Sequence, residues 1–213
     1  PSLHAQNLVN ETQEQKDKRM EWFHKAKLGI FIHWGVYAVK GVSESWSFYN
    51  KYLPHDEYMK QCEGFTASKY DPKAWVELIK ESGAQYTVLT TKHHDGVALW
   101  DTKQNGISVV KNTPAKRDLV TPFVNEVRKA GLRLGLYYSL PDWSHPDYPN
   151  MTRTDVRYKD DPKRWDNFCK FNFGQLAELN NTYKPDLYWF DGDWEMSAET
   201  WRAKEIMELL RSN

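Results

Sequence analysis

The amino-acid sequence predicts an α/β fold, and more closely a (β/α)8 TIM-like barrel of which this chain supplies the N-terminal portion, about four βα units. Helical and apolar strand patterns alternate along the 213 residues and are joined by short links, as in parallel βαβ units. Polar and aromatic residues follow every predicted strand, where a barrel gathers its active site. The turn after the first strand lacks the glycine-rich motifs of a doubly wound nucleotide-binding sheet, which favours the barrel over that open sheet.

The predicted elements follow one another in a regular order. Residues 1–20 are a polar N-terminal segment without the apolar stretch of a signal peptide, and a short amphipathic helix is indicated by the spacing of Met20, Trp22, Phe23 and Ala26. The predicted strands cover residues 29–33, 86–91, 132–138 and 187–190. Helices precede the last three strands, and their starts are marked by Asp71–Pro72, Thr121–Pro122 and Asp161–Pro162. A last helix is expected over residues 199–210.

The composition argues against several classes of function. The 29 basic and 29 acidic side chains cancel, so the basic excess of a nucleic-acid-binding protein is missing. No apolar run reaches the roughly 18–20 residues that cross a bilayer, so no membrane partner is expected. The cysteines Cys62 and Cys169 stand outside CxxC motifs and cannot form a disulfide framework. We expect no cofactor.

Strand parity gives the direction of the side chains at two strand ends, because successive residues point to opposite faces. Tyr137 and Ser139 are expected to point into the barrel, and Trp189 and Asp191 share one face of the fourth strand. A tryptophan beside a carboxylate suits sugar chemistry, since the ring packs on pyranose C–H groups and the carboxylate attacks or stabilises an anomeric centre. The alternative is that Asp191 caps the following loop or helix.

His93 and His94 follow the second strand. Neighbours on a strand point to opposite faces, so we expect the two rings to be poorly placed to bind one metal ion, and no HExxH or Cys/His spacing accompanies them. Hydrogen bonds from the imidazoles to ligand hydroxyls fit better, with Asp95 as a group that could fix a tautomer. A purely structural role for one of the two histidines stays open.

The segment 41–58 is long and aromatic for a connection between a strand and its returning helix. Trp46 is its best candidate for the wall of a binding pocket. The alternative is that the aromatic residues of this segment only anchor the loop itself.

Four strand ends carry the runs WFHKAKLGIFIHWGVYA, TKHHDGVALWDT, GLRLGLYYSLPDW and KPDLYWFDGDWE. Together, over residues 22–194, they resemble the alpha-L-fucosidases of glycoside hydrolase family 29. The resemblance implies a (β/α)8-like barrel followed by a β-sandwich domain. The expected organisation is therefore the polar segment 1–20, then residues 21–213 as the N-terminal part of the catalytic barrel, truncated before the remaining strands and any C-terminal β-sandwich.

The resemblance also implies roles for individual residues. Asp191 matches the catalytic nucleophile of a retaining mechanism, and Trp189 matches the tryptophan beside it. The histidines implied to hydrogen-bond fucose hydroxyls are His33, His93 and His94, and the aromatic residues implied to line the sugar site are Trp46 and Tyr137.

The chain departs from the family pattern in two places. Many relatives have a glutamate directly before the loop tryptophan, whereas here Ser45 precedes Trp46 and Glu44 stands one position earlier. The acid/base of the family usually lies beyond the nucleophile, and none of the 22 residues after Asp191 matches it. Glu195 is close in sequence but is not assigned that role.

The leading hypothesis is a retaining exo-alpha-L-fucosidase that hydrolyses terminal alpha-L-fucose from glycans or glycoconjugates. Its implied partners are a fucosylated glycan substrate and the remainder of the same enzyme, with a homo-oligomer left open, and its implied location is secreted, periplasmic or lysosomal. One alternative is a non-catalytic fucose-binding barrel protein. Another is a metal-dependent barrel hydrolase that uses His93 and His94.

Overall fold

The computed structural model describes residues 11–211, and a parallel sheet with the strand order β1-β2-β3-β4 lies at its centre. The strands are β1 (Gly29–Ile32), β2 (Tyr86–Lys92), β3 (Arg133–Ser139) and β4 (Leu187–Asp191). Each strand pairs in parallel with its neighbour in sequence. Sequential parallel pairing is the topology of successive βα units, so the predicted α/β class is confirmed.

Nine α-helices accompany the sheet in residues 11–211. They are α1 (Gln13–Ala26), α2 (Trp46–Tyr49), α3 (His55–Met59), α4 (Gln61–Gly64), α5 (Pro72–Glu81), α6 (Val109–Asn112), α7 (Val120–Lys129), α8 (Pro162–Tyr183) and α9 (Ala203–Arg211). Short 3-10 helices cover Val36–Ala38 and Asp193–Glu195. The three predicted crossover helices are α5, α7 and α8. Within the described part of the chain, no helix has the length and apolar character needed to cross a membrane.

The helix starts follow from side-chain caps. Asp71 accepts the backbone N–H of Ala74 at the start of α5, and Asp161 accepts that of Arg164 at the start of α8. Helix α7 begins at Val120, one residue before the predicted start, because the Asp118 carboxylate accepts the N–H groups of the first turn.

The N-terminal helix is longer than the short amphipathic helix predicted around Met20. It starts at Gln13, because Thr12 and Gln15 form a reciprocal capping box. Part of the predicted polar segment is therefore helical, and residues 1–10 of that segment lie outside the described residues.

The outer face of the sheet packs on the helices. Leu134 and Leu136 of β3 are fully buried in the same apolar core as Phe123 and Val127 of α7. On the other face, Gly135 lies so close to Val88 that a Cβ atom there would be 2.7 Å from Val88 Cγ2. Apolar burial on the helix side therefore fixes which residues of β3 point inward, and they are the predicted ones.

The sheet is strongly curved. Phe31 of β1 and Trp189 of β4 lie on strands at opposite edges, yet their ring centroids are 5.4 Å apart in an edge-to-face contact. Three inter-strand spacings of a flat sheet would separate those strands by about 14 Å. The inner faces of β1 and β4 therefore turn toward each other, as in the wall of a barrel.

Candidate functional site

The candidate site lies at the carboxyl ends of the four strands. His33 follows β1, His93 and His94 follow β2, and Asp191 is the last residue of β4. Tyr137 of β3 lies among them, with its ring parallel to that of His93 at a centroid distance of 5.8 Å. Parallel strands present their carboxyl ends at one edge of the sheet, which brings together residues up to 158 positions apart in sequence.

The Asp191 carboxylate is held by two hydrogen bonds. The Tyr137 hydroxyl donates to Oδ2 at 2.5 Å, and the Gly192 backbone N–H donates to Oδ1 at 2.9 Å. The Asp191 side chain is 24% exposed, so the carboxylate is fixed but reachable from the concave face. In the described residues Asp191 makes no side-chain cap to the following 3-10 helix, and its contact with the Gly192 N–H is the part of the alternative capping role that the structure retains.

Tyr137 is suited to orient this carboxylate. Its ring is buried, and burial together with the adjacent Asp191 carboxylate raises the pKa of the Tyr137 hydroxyl far above its ordinary value. The hydroxyl therefore stays protonated and remains a donor at neutral pH.

His93 and His94 each pair with a buried serine. His93 Nδ1 lies 2.6 Å from Ser45 Oγ, and His94 Nδ1 lies 2.5 Å from Ser139 Oγ. The expectation that Asp95 fixes a tautomer is wrong, because the Asp95 carboxylate is used by the Tyr58 hydroxyl at 2.6 Å and by a backbone N–H of its own turn. A serine hydroxyl, rather than the expected Asp95 carboxylate, therefore contacts Nδ1 of each histidine.

The expectation that the two imidazoles point apart is also wrong. Their centroids are 4.4 Å apart, and potential ligand atoms of His93, His94 and Asp191 all lie within 4.8 Å of one another. The physical reason is a β-bulge: Thr90 pairs with Tyr137 and Lys92 with Tyr138, so Thr91 is an extra residue, and the histidines follow the end of the strand. Strand alternation therefore does not apply to this pair.

Aromatic rings close one side of the site. Trp46 is half-buried and makes edge contacts with His94 at 5.5 Å and with Trp143 at 5.1 Å. Trp143 is fully buried, lies 4.4 Å from His94, and donates from Nε1 to Glu195 at 2.9 Å. Trp46 therefore contacts a histidine of the site, and its ring also meets Tyr49 of its own segment at 5.5 Å, so its contacts fit both interpretations of the segment.

The other two predicted residues lie at the open side. Trp189 is 51% exposed on the concave face. His33 is exposed, with its Nδ1 atom 3.1 Å from Thr90 Oγ1 and its ring 4.8 Å from that of His93. All seven residues singled out in the sequence thus lie in this one region.

Three further residues at the site were not singled out as site residues from the sequence. They are Ser45, Ser139 and Trp143, which contact the histidines directly. Ser139 was expected to point inward, so strand parity was the signal that could have marked it. No sequence pattern marks the contacts of Ser45 and Trp143, because both lie in irregular segments.

A buried ion pair lies next to the histidine turn, which is the turn formed by residues 93–96. Lys92, which directly precedes His93, has no exposed side-chain area, and its ammonium lies 3.7 Å from Asp142 and donates to the Tyr138 hydroxyl at 3.0 Å. Burial lowers the pKa of Lys92 to about 8, against the opposing effect of Asp142. The lysine therefore stays mostly charged at neutral pH.

The buried histidines predict a pH dependence of stability. Burial lowers the pKa of His93 well below its ordinary value. The unfolded chain binds a proton at His93 below about pH 6.5, whereas the folded chain does not, so folding becomes less favourable as the pH falls through that value. Between about pH 7.5 and pH 5.5 the loss from one such group is about 1.4 kcal/mol.

His93→Gln is expected to remove that share of the pH dependence, as measured by urea unfolding at both pH values. His24→Gln, on the exposed surface of α1, is the matched control and should leave the pH dependence unchanged. An equal loss of stability in wild type and His93→Gln would contradict a neutral buried His93.

Comparison with known proteins shows that this chain is similar to alpha-L-fucosidases. The family model described as Alpha-L-fucosidase matches residues 2–213. The tissue alpha-L-fucosidase of Bos taurus is 34% identical over 205 residues, which covers 89% of this chain and 42% of that protein.

Two solved structures are similar over most of the chain. Alpha-L-fucosidase isoenzyme 1 from Paenibacillus thiaminolyticus superimposes with a TM-score of 0.85 at 37% identity, over 92% of this chain and 48% of that one. A trapped covalent intermediate of a Bacteroides thetaiotaomicron GH29 alpha-L-fucosidase, formed with 2-fluoro-fucosyl fluoride, gives a TM-score of 0.78 at 33% identity, over 95% and 48%.

The chain spans about half the length of these relatives, and the matched part is the N-terminal portion of their barrel. The predicted fold, four βα units of a (β/α)8-like barrel, is therefore confirmed. The family assignment rests on a match over nearly the whole chain. This protein belongs to glycoside hydrolase family 29, the alpha-L-fucosidases.

Proposed function

We propose that the full-length protein is a retaining exo-alpha-L-fucosidase that removes terminal alpha-L-fucose from glycans or glycoconjugates. One observation carries the proposal: the Asp191 carboxylate is oriented by Tyr137 at the mouth of a curved parallel sheet, with ring nitrogens of His93 and His94 within 4.8 Å of it. A fixed carboxylate beside polar groups that bind hydroxyls is what nucleophilic attack on a sugar requires.

The proposed reaction has two steps. Asp191 attacks the anomeric carbon while the glycosidic C–O bond breaks, and a carboxylic acid gives its proton to the leaving oxygen. The same group then takes a proton from water, which attacks the anomeric carbon and releases Asp191. The covalent intermediate trapped in the Bacteroides relative supports this sequence of events.

The other six residues are proposed to bind the sugar. His93 and His94 lie beside the nucleophile and His33 lies beside His93, and all three can exchange hydrogen bonds with hydroxyls. The rings of Trp46, Tyr137 and Trp189 offer apolar surface to the C–H groups of the pyranose.

The acid/base is proposed to lie in the remainder of the same enzyme. In the described residues β1 and β4 each pair with one neighbour, and the inner-face residues Phe31 and Trp189 are 38% and 51% exposed. Further strands would cover these edges and this face, as barrel closure requires. Residues 21–213 are on this proposal the N-terminal part of the barrel, and a secreted, periplasmic or lysosomal location fits an enzyme that acts on glycans.

The decisive experiment is turnover of an aryl alpha-L-fucoside by the full-length protein, followed by proton NMR. We expect the first sugar released to be the alpha anomer, and the matching aryl beta-L-fucoside is the control substrate that should not be cleaved. Release of the beta anomer would contradict a double displacement. Fucose binding in calorimetry without turnover would favour the non-catalytic alternative, and activity that disappears on exhaustive chelation would favour the metal-dependent one.

A further inference from the structure

Ser139 lies between a histidine ring and a backbone carbonyl. Its Oγ atom is 2.5 Å from His94 Nδ1 and 2.6 Å from the carbonyl oxygen of Pro141, and its side chain is fully buried. Both contacts are within hydrogen-bond distance.

The direction of these two bonds is fixed by simple counting. A hydroxyl has one hydrogen to donate, and a carbonyl oxygen can only accept. The Ser139 hydrogen therefore goes to the Pro141 carbonyl, and the remaining contact is satisfied when His94 Nδ1–H donates to Ser139 Oγ.

The other nitrogen of the same ring has no hydrogen-bond partner among the residues that the structure describes. His94 Nε2 is buried, makes no hydrogen bond in residues 11–211, and lies 3.5 Å from Asp191 Oδ2. Burial lowers the pKa of His94 to about 4, so the ring is neutral at ordinary pH and Nε2 then carries a lone pair. A buried acceptor without a donor is unfavourable, and binding of a hydroxyl would satisfy it.

We propose that Ser139 is a positioning residue that fixes His94 in the Nδ1–H tautomer, which makes Nε2 an obligate acceptor for a sugar hydroxyl next to the nucleophile. The nature of the ligand rests on the proposed function, whereas the tautomer does not. In the opposite tautomer Nε2–H would donate to Asp191. His94 Nδ1 and the Pro141 carbonyl would then both be acceptors for the single Ser139 hydrogen, so one of them would lack a donor.

The tautomer is measured directly by nitrogen-15 NMR of the imidazole rings in the full-length protein at neutral pH, with the His94 signals assigned from a His94→Gln variant. We expect a protonated Nδ1 and an unprotonated Nε2 in the unliganded protein. A protonated Nε2 would overturn the proposal, whether or not the protein turns over fucosides. Failure of the proposed function is thereby separated from failure of this inference.

Ser139→Ala tests the cause. The variant should populate both tautomers of His94, whereas Ser45→Ala, which removes the serine of the neighbouring His93, should leave the His94 tautomer unchanged. An unchanged His94 tautomer in Ser139→Ala would show that Ser139 does not set it.

Ser139→Ala is also expected to lower kcat/KM for an aryl alpha-L-fucoside roughly tenfold, which corresponds to the loss of about one hydrogen bond. Ser108→Ala is the matched control, because Ser108 is equally buried but caps α6 away from the described site. It should leave kcat/KM unchanged. An equal loss in both variants would indicate general destabilisation and contradict a positioning role.

Discussion

Asp191→Asn in the full-length protein is expected to lower kcat on an aryl alpha-L-fucoside by about 10⁴-fold or more, as removal of a covalent nucleophile does in other enzymes. Asparagine has nearly the same shape and can still accept the Tyr137 hydrogen bond, so the site should remain intact. What is lost is the negative charge that attacks the anomeric carbon. The rates are measured at saturating substrate, with unfolding curves as a check of the fold.

Asp193→Asn is the matched control for this variant. Asp193 lies two residues further along the chain, is exposed, and starts the short 3-10 helix after β4. Its replacement should leave kcat within about twofold, since a surface carboxylate contributes little. Asp191→Gly with added azide extends the test, because azide can occupy the vacant space and attack from the same side to give the beta-configured fucosyl azide. Wild-type turnover by Asp191→Asn would refute the assignment of the nucleophile.

Lys92→Met is expected to lower the free energy of unfolding by about 3–5 kcal/mol. The reason is that Asp142, only 4% exposed, loses its buried cation. Methionine has a similar length and can fill the same space beside Phe171, so packing alone does not account for the loss. Urea unfolding followed by tryptophan fluorescence measures it.

An exposed lysine supplies the control for this prediction. Lys73→Met on α5 removes a solvent-exposed pair with Glu77 and should change stability by less than about 0.5 kcal/mol. The double variant Lys92→Met/Asp142→Leu should regain part of the lost stability, since it removes the uncompensated charge as well. Wild-type stability of Lys92→Met would show that the ion pair does not support the histidine turn.

Much of the fold was predictable because local rules act on it. Asp71 and Asp161 cap their helices as their sequence patterns predict, and the inward direction of Tyr137 follows from strand alternation. The start of α7 was missed by one residue, because Asp118 caps from outside the pattern that marked the start. Helix starts and side-chain directions can be predicted from the sequence when the contacts that determine them are made by residues close together in the chain.

The orientation of His93 and His94 could not be predicted from local sequence patterns. The bulge at Thr91 depends on pairing with β3, a strand that is distant in sequence, and no local pattern announces it. The same holds for the serines that bind His93 and His94, which come from a loop after β1 and from the end of β3. Contacts between distant segments form only when the whole sheet does.

The sequence by itself determined the order of the βα units, the face on which Tyr137, Trp189 and Asp191 lie, and the family to which the runs at the strand ends belong. The tertiary structure decided that His93 and His94 face the same site, that Ser139 rather than Asp95 contacts His94, and that Lys92 lies buried against Asp142. Alternation and capping are fixed by the backbone of neighbouring residues, whereas hydrogen-bond partners and buried charges depend on which distant strands and loops meet in space.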